Sequence, residues 1–404
     1  MSITLDTENS GGYTIERLDI RPRRTLPMRR PVCFLGLLLL LCRPIWGQTA
    51  TPDDPVPDTL KAQTDLSAQA DQLAQLVTTE TQKLSDDSDA ASQAMARDWL
   101  IAQATGINAT DAYRTAYAAA VNKQFATILA DPKVSVRTRV NVAIVTAKIC
   151  ETSTNTELLP TTLTLLGDSS DAIILWAERA AGSQLVTMLN NPNAAAADRQ
   201  SLLKAMEEAA VKHCSTPMLG GFIIEQVYSD INPFLKGVNP QGAALDDLIN
   251  ANLALQKGRL ELYTSAVPES PYVDTFASQF VLDPATWATM NPQEQLQAVQ
   301  QAGDLICKAA TLAIGGTNVS AQQLSDLTKS IGREGDYLDA LASKSLNNSN
   351  LATAAKAVEI LGVASPPASI RTACQQIEDA LQAAFPGFQP SPDFAHPAAG
   401  SAGQ

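Results

Sequence analysis

Apolar residues between positions 59 and 385 recur at the three- and four-residue spacing of amphipathic helices. Polar turns rich in Asp, Asn, Gly and Pro separate these segments, because such residues cap helix ends or restrict φ. Long alternating runs of Val, Ile, Thr and Tyr, typical of strands, are scarce. We therefore predict an all-α fold, with helices at about 59–84, 89–104, 109–130, 134–151, 156–166, 170–189, 195–213, 216–228, 241–264, 292–314, 320–331, 335–346, 350–361 and 367–385.

Residues 125–189 contain two similar segments, each made of a helix end, a short polar turn and a second helix. Asp131 aligns with Asp168 at an offset of 37 residues (168 − 131), which also places Ala143 on Ala180. This offset is within the range of two-helix repeats. The apolar face from Val136 to Ala147 needs cover from a neighbouring hairpin, so we expect the hairpins to stack.

The Leu-x-Asp turns at 129–131 and 166–168, with the aligned alanines, resemble HEAT-type repeats. One departure is Ile173-Ile174, which stands where the first segment has Val-Arg. The resemblance implies antiparallel helical hairpins stacked as a HEAT-like α-solenoid. It also implies a protein-binding or scaffold role, and it implies no catalytic residues.

Composition changes along the chain predict five regions. An Asn-Pro-rich loop near 232–242 is the basis for dividing the helical part into two lobes. The predicted regions are an N-terminal extension and signal peptide at 1–50, a Pro/Asp linker at 51–58, a helical repeat lobe at 59–231, a second helical lobe at 240–385 and a disordered Pro/Ala/Gly/Ser tail at 386–404.

Residues 28–50 have the three parts of a signal peptide. Arg29 and Arg30 precede an apolar run of eleven residues, 32–42, and small residues follow at 47–50. The run is shorter than the roughly 17–25 residues that cross a bilayer, although an uncleaved anchor is the alternative. We predict export to the periplasm or the extracellular space, with no stable membrane span after cleavage. Alternatively, translation starts at Met28 and not at Met1.

The net charge of the chain limits the kinds of partner that we expect it to bind. The chain has 29 basic and 42 acidic residues, a net charge of −13, and seven of the basic residues lie within positions 1–50. A nucleic-acid-binding protein needs a basic surface that displaces counterions from phosphates. We therefore expect no nucleic-acid partner and a protein partner of unknown identity.

Four of the six cysteines follow the predicted signal peptide: Cys150, Cys214, Cys307 and Cys374. Export permits two disulfides, and closeness in sequence favours the pairs Cys150–Cys214 and Cys307–Cys374. Four buried free thiols are the alternative.

Residues suited to catalysis or metal binding are few. The two histidines are His213, at a predicted helix end, and His396 in the tail, and no paired Cys or His spacing suits zinc. The carboxylate pairs 207–208 and 246–247 are adjacent on helices, so their side chains diverge. We predict no catalytic residue, no cofactor and no metal site.

These observations favour an exported, non-enzymatic helical-repeat scaffold or protein-binding protein. One alternative is a carrier of an apolar small molecule, based on the aromatic segments 222–228 and 272–280. The other alternative is a carboxylate-dependent hydrolase, which would need two acids facing one cleft.

Overall fold

A computed structural model describes residues 55–394 except 107–108, 192, 218, 265 and 316–318. The regular elements of these residues are all helical, which confirms the all-α prediction. The α-helices are α1 Asp58–Lys61, α2 Ala70–Ser85, α3 Ala90–Ala104, α4 Asp111–Leu129, α5 Val136–Cys150, α6 Leu159–Leu166, α7 Asp171–Asn190, α8 Ala196–His213, α9 Leu219–Ile231, α10 Pro233–Lys236, α11 Ala243–Leu260, α12 Thr275–Val281, α13 Pro284–Trp287, α14 Pro292–Gly315, α15 Ala321–Leu341, α16 Ser349–Glu359 and α17 Pro367–Ala384. A 3-10 turn occupies Pro271–Asp274 and a π turn Ala342–Leu346.

The helices contact one another in two rows. Helices α2, α4, α6, α8, α11 and α14 contact in that order, each touching the next. Helices α3, α5, α7 and α9 do the same in the second row. Neighbours in sequence, such as α2 with α3 and α8 with α9, connect the rows. Stacked helical hairpins produce this pattern of helix contacts. Membership of the HEAT type stays a prediction.

Small side chains fill the space between the stacked helices. Ala143 and Ala147 of α5 and Ala177 and Ala180 of α7 are fully buried. Alanine favours helix formation and allows close helix contact. Neighbouring helices therefore bury Ala143 and Ala180, as expected.

The predicted apolar face of α5 was only partly right. Val136 is 52% exposed, whereas Val142 and Val145 are fully buried. Val136 is the first residue of α5, and α5 contacts α3 on one side and α7 on the other. A helix that packs between two neighbours buries a wide face. The predicted stripe from Val136 to Ala147 is therefore narrower than the buried face of α5.

Aspartates at the helix ends build the turns and connect successive hairpins. Asp131 Oδ1 accepts from Lys133 N at 2.9 Å, and Asp168 Oδ1 accepts from Ser170 N at 2.8 Å. The two aligned turns therefore share one Asx geometry. Asp168 also forms an ion pair with Arg139 of the preceding hairpin.

The predicted break between residues 331 and 335 was wrong, because α15 runs through it. A Cβ at Gly335 would lie 2.6 Å from Glu359 N and 2.8 Å from Ala355 O. The glycine permits close contact between α15 and α16 and does not end the helix. By contrast, the predicted helix at 59–84 is interrupted at 62–69, where Asp65 Oδ1 accepts from Ser67 N.

The disordered-tail prediction was wrong for residues 386–394. Phe388 and Phe394 are 2% and 3% exposed, and Phe388 packs against Gly303 of α14. Gln389 exchanges two backbone–side-chain hydrogen bonds with Gln300, at 2.8 and 2.9 Å. Composition suggested disorder, but two aromatic side chains supply enough apolar area to hold the segment on the helices.

At the other end of the described chain, the linker prediction also needs correction. Residues 55–57 are not helical, as expected for Pro-rich sequence, but Val56 is 1% exposed and its N donates to Gln103 Oε1. Asp58 already belongs to α1. This segment is packed on the helices from its first described residues.

Several predictions lie outside the described residues. These are the extension and signal peptide at 1–50, residues 51–54 of the linker, and the tail from 395 with His396. The described helices include none whose length and apolar character would let it cross a membrane. The lobe boundary near 232–242 stays a prediction, and Arg199 of α8 and Asp247 of α11 form an ion pair across it.

Replacing Phe388 with Ala should lower the free energy of unfolding by about 3 kcal/mol, because it leaves a cavity between the tail segment and α14. Urea unfolding followed by circular dichroism measures this change. Phe222, which is 61% exposed, provides the matched control. Phe222→Ala should change stability by less than about 0.5 kcal/mol. Equal effects of the two substitutions would contradict the packed position of residues 386–394.

Candidate functional site: a polar cleft across three helices

A cleft of about 620 Å³ crosses α5, α7 and α9, three successive helices of one row. Its volume is within the range of ligand sites, roughly 300–1,000 Å³. No single hairpin could form it, because each helix contributes one part of the wall. The lining residues are Lys148, Cys150, Glu151, Ser153, Arg179, Gly182, Ser183, Val186, Thr187, Gln226, Asp230 and Lys236.

Asp230 is the buried carboxylate of the cleft lining. It is 2% exposed, forms an ion pair with Lys236, and accepts a hydrogen bond from Gln226 Nε2 at 2.8 Å. Burial raises the pKa of Asp230, while Lys236, Gln226 and the charge of Arg179 act in the opposite direction. The carboxylate fits here because residue 182 of α7 is glycine, and a Cβ at that position would overlap it.

Two cations of the lining, Arg179 and Lys148, lie beside Trp176. The Arg179 guanidinium lies over the Trp176 ring, 4.9 Å from its centroid, and Lys148 Nζ lies 5.9 Å from the same centroid. Lys148 also pairs with Glu151. Arg179 forms no ion pair within the described part of the chain. The cleft therefore presents one cation whose guanidinium forms no direct ion pair, although its charge acts on Asp230.

Glu178 lies in the interior close to Asp230. It is fully buried, and neither carboxyl oxygen has a hydrogen-bond partner among the described residues. Burial, and then the charge of Asp230, holds the pKa of Glu178 well above its usual value of 4.5. Strongly perturbed acids cluster at functional sites, although structural networks perturb them too. This shift favours the uncharged form of Glu178.

A second buried polar cluster joins α11, the 3-10 turn and α15. Arg259 and Asp274 are fully buried and share two hydrogen bonds, at 2.9 and 3.0 Å, and Tyr263 OH donates to Asp274 at 2.8 Å. Glu334 of α15 is also fully buried, and burial raises its pKa. Arg259 Nε and Nη2 meet both Asp274 oxygens, so the pair is well matched geometrically. The geometry of this cluster fits a structural role.

The four cysteines of the predicted disulfides are buried free thiols in the structure. Cys307 Sγ donates to Glu378 Oε1 at 3.1 Å, and the adjacent Cys374 thiol, followed by burial, raises the pKa of Cys307. The other two cysteines have different neighbours. Cys150 contacts Gln184, and Cys214 donates to Val211 O. The Cys307–Cys374 disulfide therefore stays a prediction with the two thiols already adjacent.

Other residues considered in the sequence lie apart from the cleft. His213 ends α8 and pairs through Nδ1 with Asp171 at 2.5 Å. Of the adjacent carboxylates, Asp247 pairs with Arg199 and Glu208 with Lys204. The described residues contain no group of three or more His, Cys, Asp or Glu side chains placed to bind a metal ion.

Sequence reasoning missed the cleft, because its residues come from helices far apart in the chain. Glu178 and Asp230 are 52 residues apart (230 − 178), and nothing in their local sequence pairs them. One local signal was present. Gly182 interrupts an otherwise strong helical segment, and a glycine in a helix interior usually has a packing reason.

No protein-family model matches this chain, and no curated protein sequence does either.

Replacing Glu178 with Gln should stabilise the protein as the pH rises. The wild-type carboxyl has a raised pKa when folded, so its contribution is fully present below 4.5 and is lost as the pH rises through the folded pKa. The isosteric amide has no charge to bury. Above 4.5 each pH unit should add up to about 1.4 kcal/mol to the advantage of the variant, until the folded pKa is reached.

Thermal unfolding of wild type and variant across a pH series measures this difference. The exposed Glu208→Gln is the matched control and should show no growing advantage. A stability difference between wild type and Glu178→Gln that stays constant with pH would contradict the buried position of Glu178.

Proposed function

We propose that this protein is an exported, non-enzymatic helical-repeat protein that binds a partner protein in the cleft across α5, α7 and α9. The cleft carries the proposal, since its walls come from three successive hairpins. Stacked helical repeats commonly bind partners on such extended surfaces. Export rests on residues 28–50 of the sequence, and the repeat type rests on the resemblance of residues 125–189.

The chemistry of the cleft favours binding over catalysis. Asp230 is held by Lys236 and Gln226, and Glu151 is paired with Lys148. A general base needs a lone pair free to accept the substrate proton. Charged and hydroxyl side chains around an open cleft suit recognition of a polar segment.

A photo-reactive amino acid at Ser183 should capture the partner in intact cells, because Ser183 lines the cleft. Thr127 on α4 is the matched control position, since it is exposed and outside the cleft. We expect one protein to be linked from position 183 and not from 127. The same protein should bind the purified chain. Capture from both positions alike, or from neither, would contradict the proposal.

A carboxylate-dependent hydrolase is the second candidate, because the structure brings Glu178 and Asp230 close together. Its test is release of reducing ends from a polysaccharide panel by wild type and Asp230→Asn. Under our proposal neither protein releases them. Release that depends on Asp230 would favour the hydrolase.

The alternative function, carrying an apolar small molecule, has less support. In the aromatic segments, Phe280 is 1% exposed and packs edge-on against Phe234, and Tyr272 packs against Phe276 in the same way. These rings contact each other or the core. The carrier function stays an untested alternative.

A further inference from the structure

The charges that line the cleft are not balanced. Three cations and two carboxylates face it, and each carboxylate has a lysine partner: Glu151 with Lys148, and Asp230 with Lys236. Arg179 is the cation that forms no ion pair, although its charge also acts on Asp230. A basic ligand would find no carboxylate in the lining without a lysine already on it, whereas an acidic ligand would find Arg179 without an ion-pair partner.

Arg179 is held in a way that keeps its donors available. Its guanidinium lies over Trp176, and this cation–π contact does not use the N–H groups. The planar guanidinium offers parallel N–H donors that match a carboxylate in bidentate fashion. Since the side chain is exposed, a ligand can reach it without rearrangement of the core.

The second and third cations of the cleft each have a carboxylate partner. Lys236 is anchored by the buried Asp230, and Lys148 lies near Trp176 and Glu151. Ser183 and Thr187 stand one turn apart on α7, and both line the cleft. Their donors are used within the helix, since Ser183 Oγ donates to Arg179 O and Thr187 Oγ1 donates to Ser183 O, both at 3.1 Å. Toward a ligand each hydroxyl therefore offers acceptor lone pairs, and the positive charge of the cleft comes from its cations.

The charge of the whole chain does not cancel this arrangement. The net charge is −13, but exposed charges are largely screened beyond about 8 Å at physiological salt. A ligand in the cleft therefore responds mainly to the local cations. An acidic partner segment is therefore expected to bind at the cleft and not on the acidic surface around it.

We propose that the cleft binds an acidic segment of the partner protein, with an Asp or Glu carboxylate on Arg179 and flanking carboxylates near Lys148 and Lys236. This inference rests on the proposed function and names the chemistry of the partner. Binding should weaken as salt is added, because it depends on charge.

Fluorescence anisotropy with fluorescein-labelled oligoglutamate tests the inference directly. Arg179→Gln should weaken binding about tenfold, the loss of one charge-assisted contact. Arg371→Gln is the matched control, since Arg371 is also exposed and lies over an aromatic ring, 5.6 Å from the Phe394 centroid. That control should bind oligoglutamate as wild type does, and both variants should keep the wild-type circular dichroism spectrum.

Three results would overturn the inference: equal binding of oligolysine, binding of oligoglutamate that is indifferent to Arg179, or binding of inorganic phosphate in place of oligoglutamate. The last result would identify a site for a small anion. Cross-linking from Ser183 tests the proposed function and the proposed acidic segment separately. A partner captured equally by wild type and Arg179→Gln would leave the proposed function standing and remove its acidic segment, whereas capture of no partner would remove the proposed function itself.

Discussion

The structure depends on mutual cover between hairpins. Helices such as α5 and α7 carry buried alanines and β-branched residues on wide faces, and no single hairpin can remove both sides of such a helix from water. Stacking solves this for every internal helix by giving it a neighbour on each side. The ion pair Arg139–Asp168 then connects one hairpin to the next at the turns.

The same stacking creates the cleft. A row of parallel-packed helices leaves grooves between its members, and polar side chains can line such a groove while apolar ones face the other row. Gly182 lowers the wall of α7 at one point, and this space admits the Asp230 carboxylate from α9. The packed core and the cleft therefore involve the same helices.

Much of the fold could be predicted from local pattern. The bounds of α3 to α8 follow from apolar spacing and from polar stops such as Asp131 and Asp168, which cap or turn the chain through their own side chains. The errors came from tertiary contacts that override local preference. Gly335 looks like a helix breaker but serves close packing, and Phe388 fixes a segment whose composition suggested disorder.

The cleft could not be predicted in this way, since Lys148, Arg179 and Asp230 line one cleft only when three hairpins are stacked. The measurement closest to the central claim is the helicity of an isolated fragment, residues 136–190, compared with the same residues in the whole chain. Without cover from α3 and α9, the fragment should be largely unfolded by circular dichroism and should melt without a cooperative transition. A fragment that folds by itself and melts cooperatively would contradict the account.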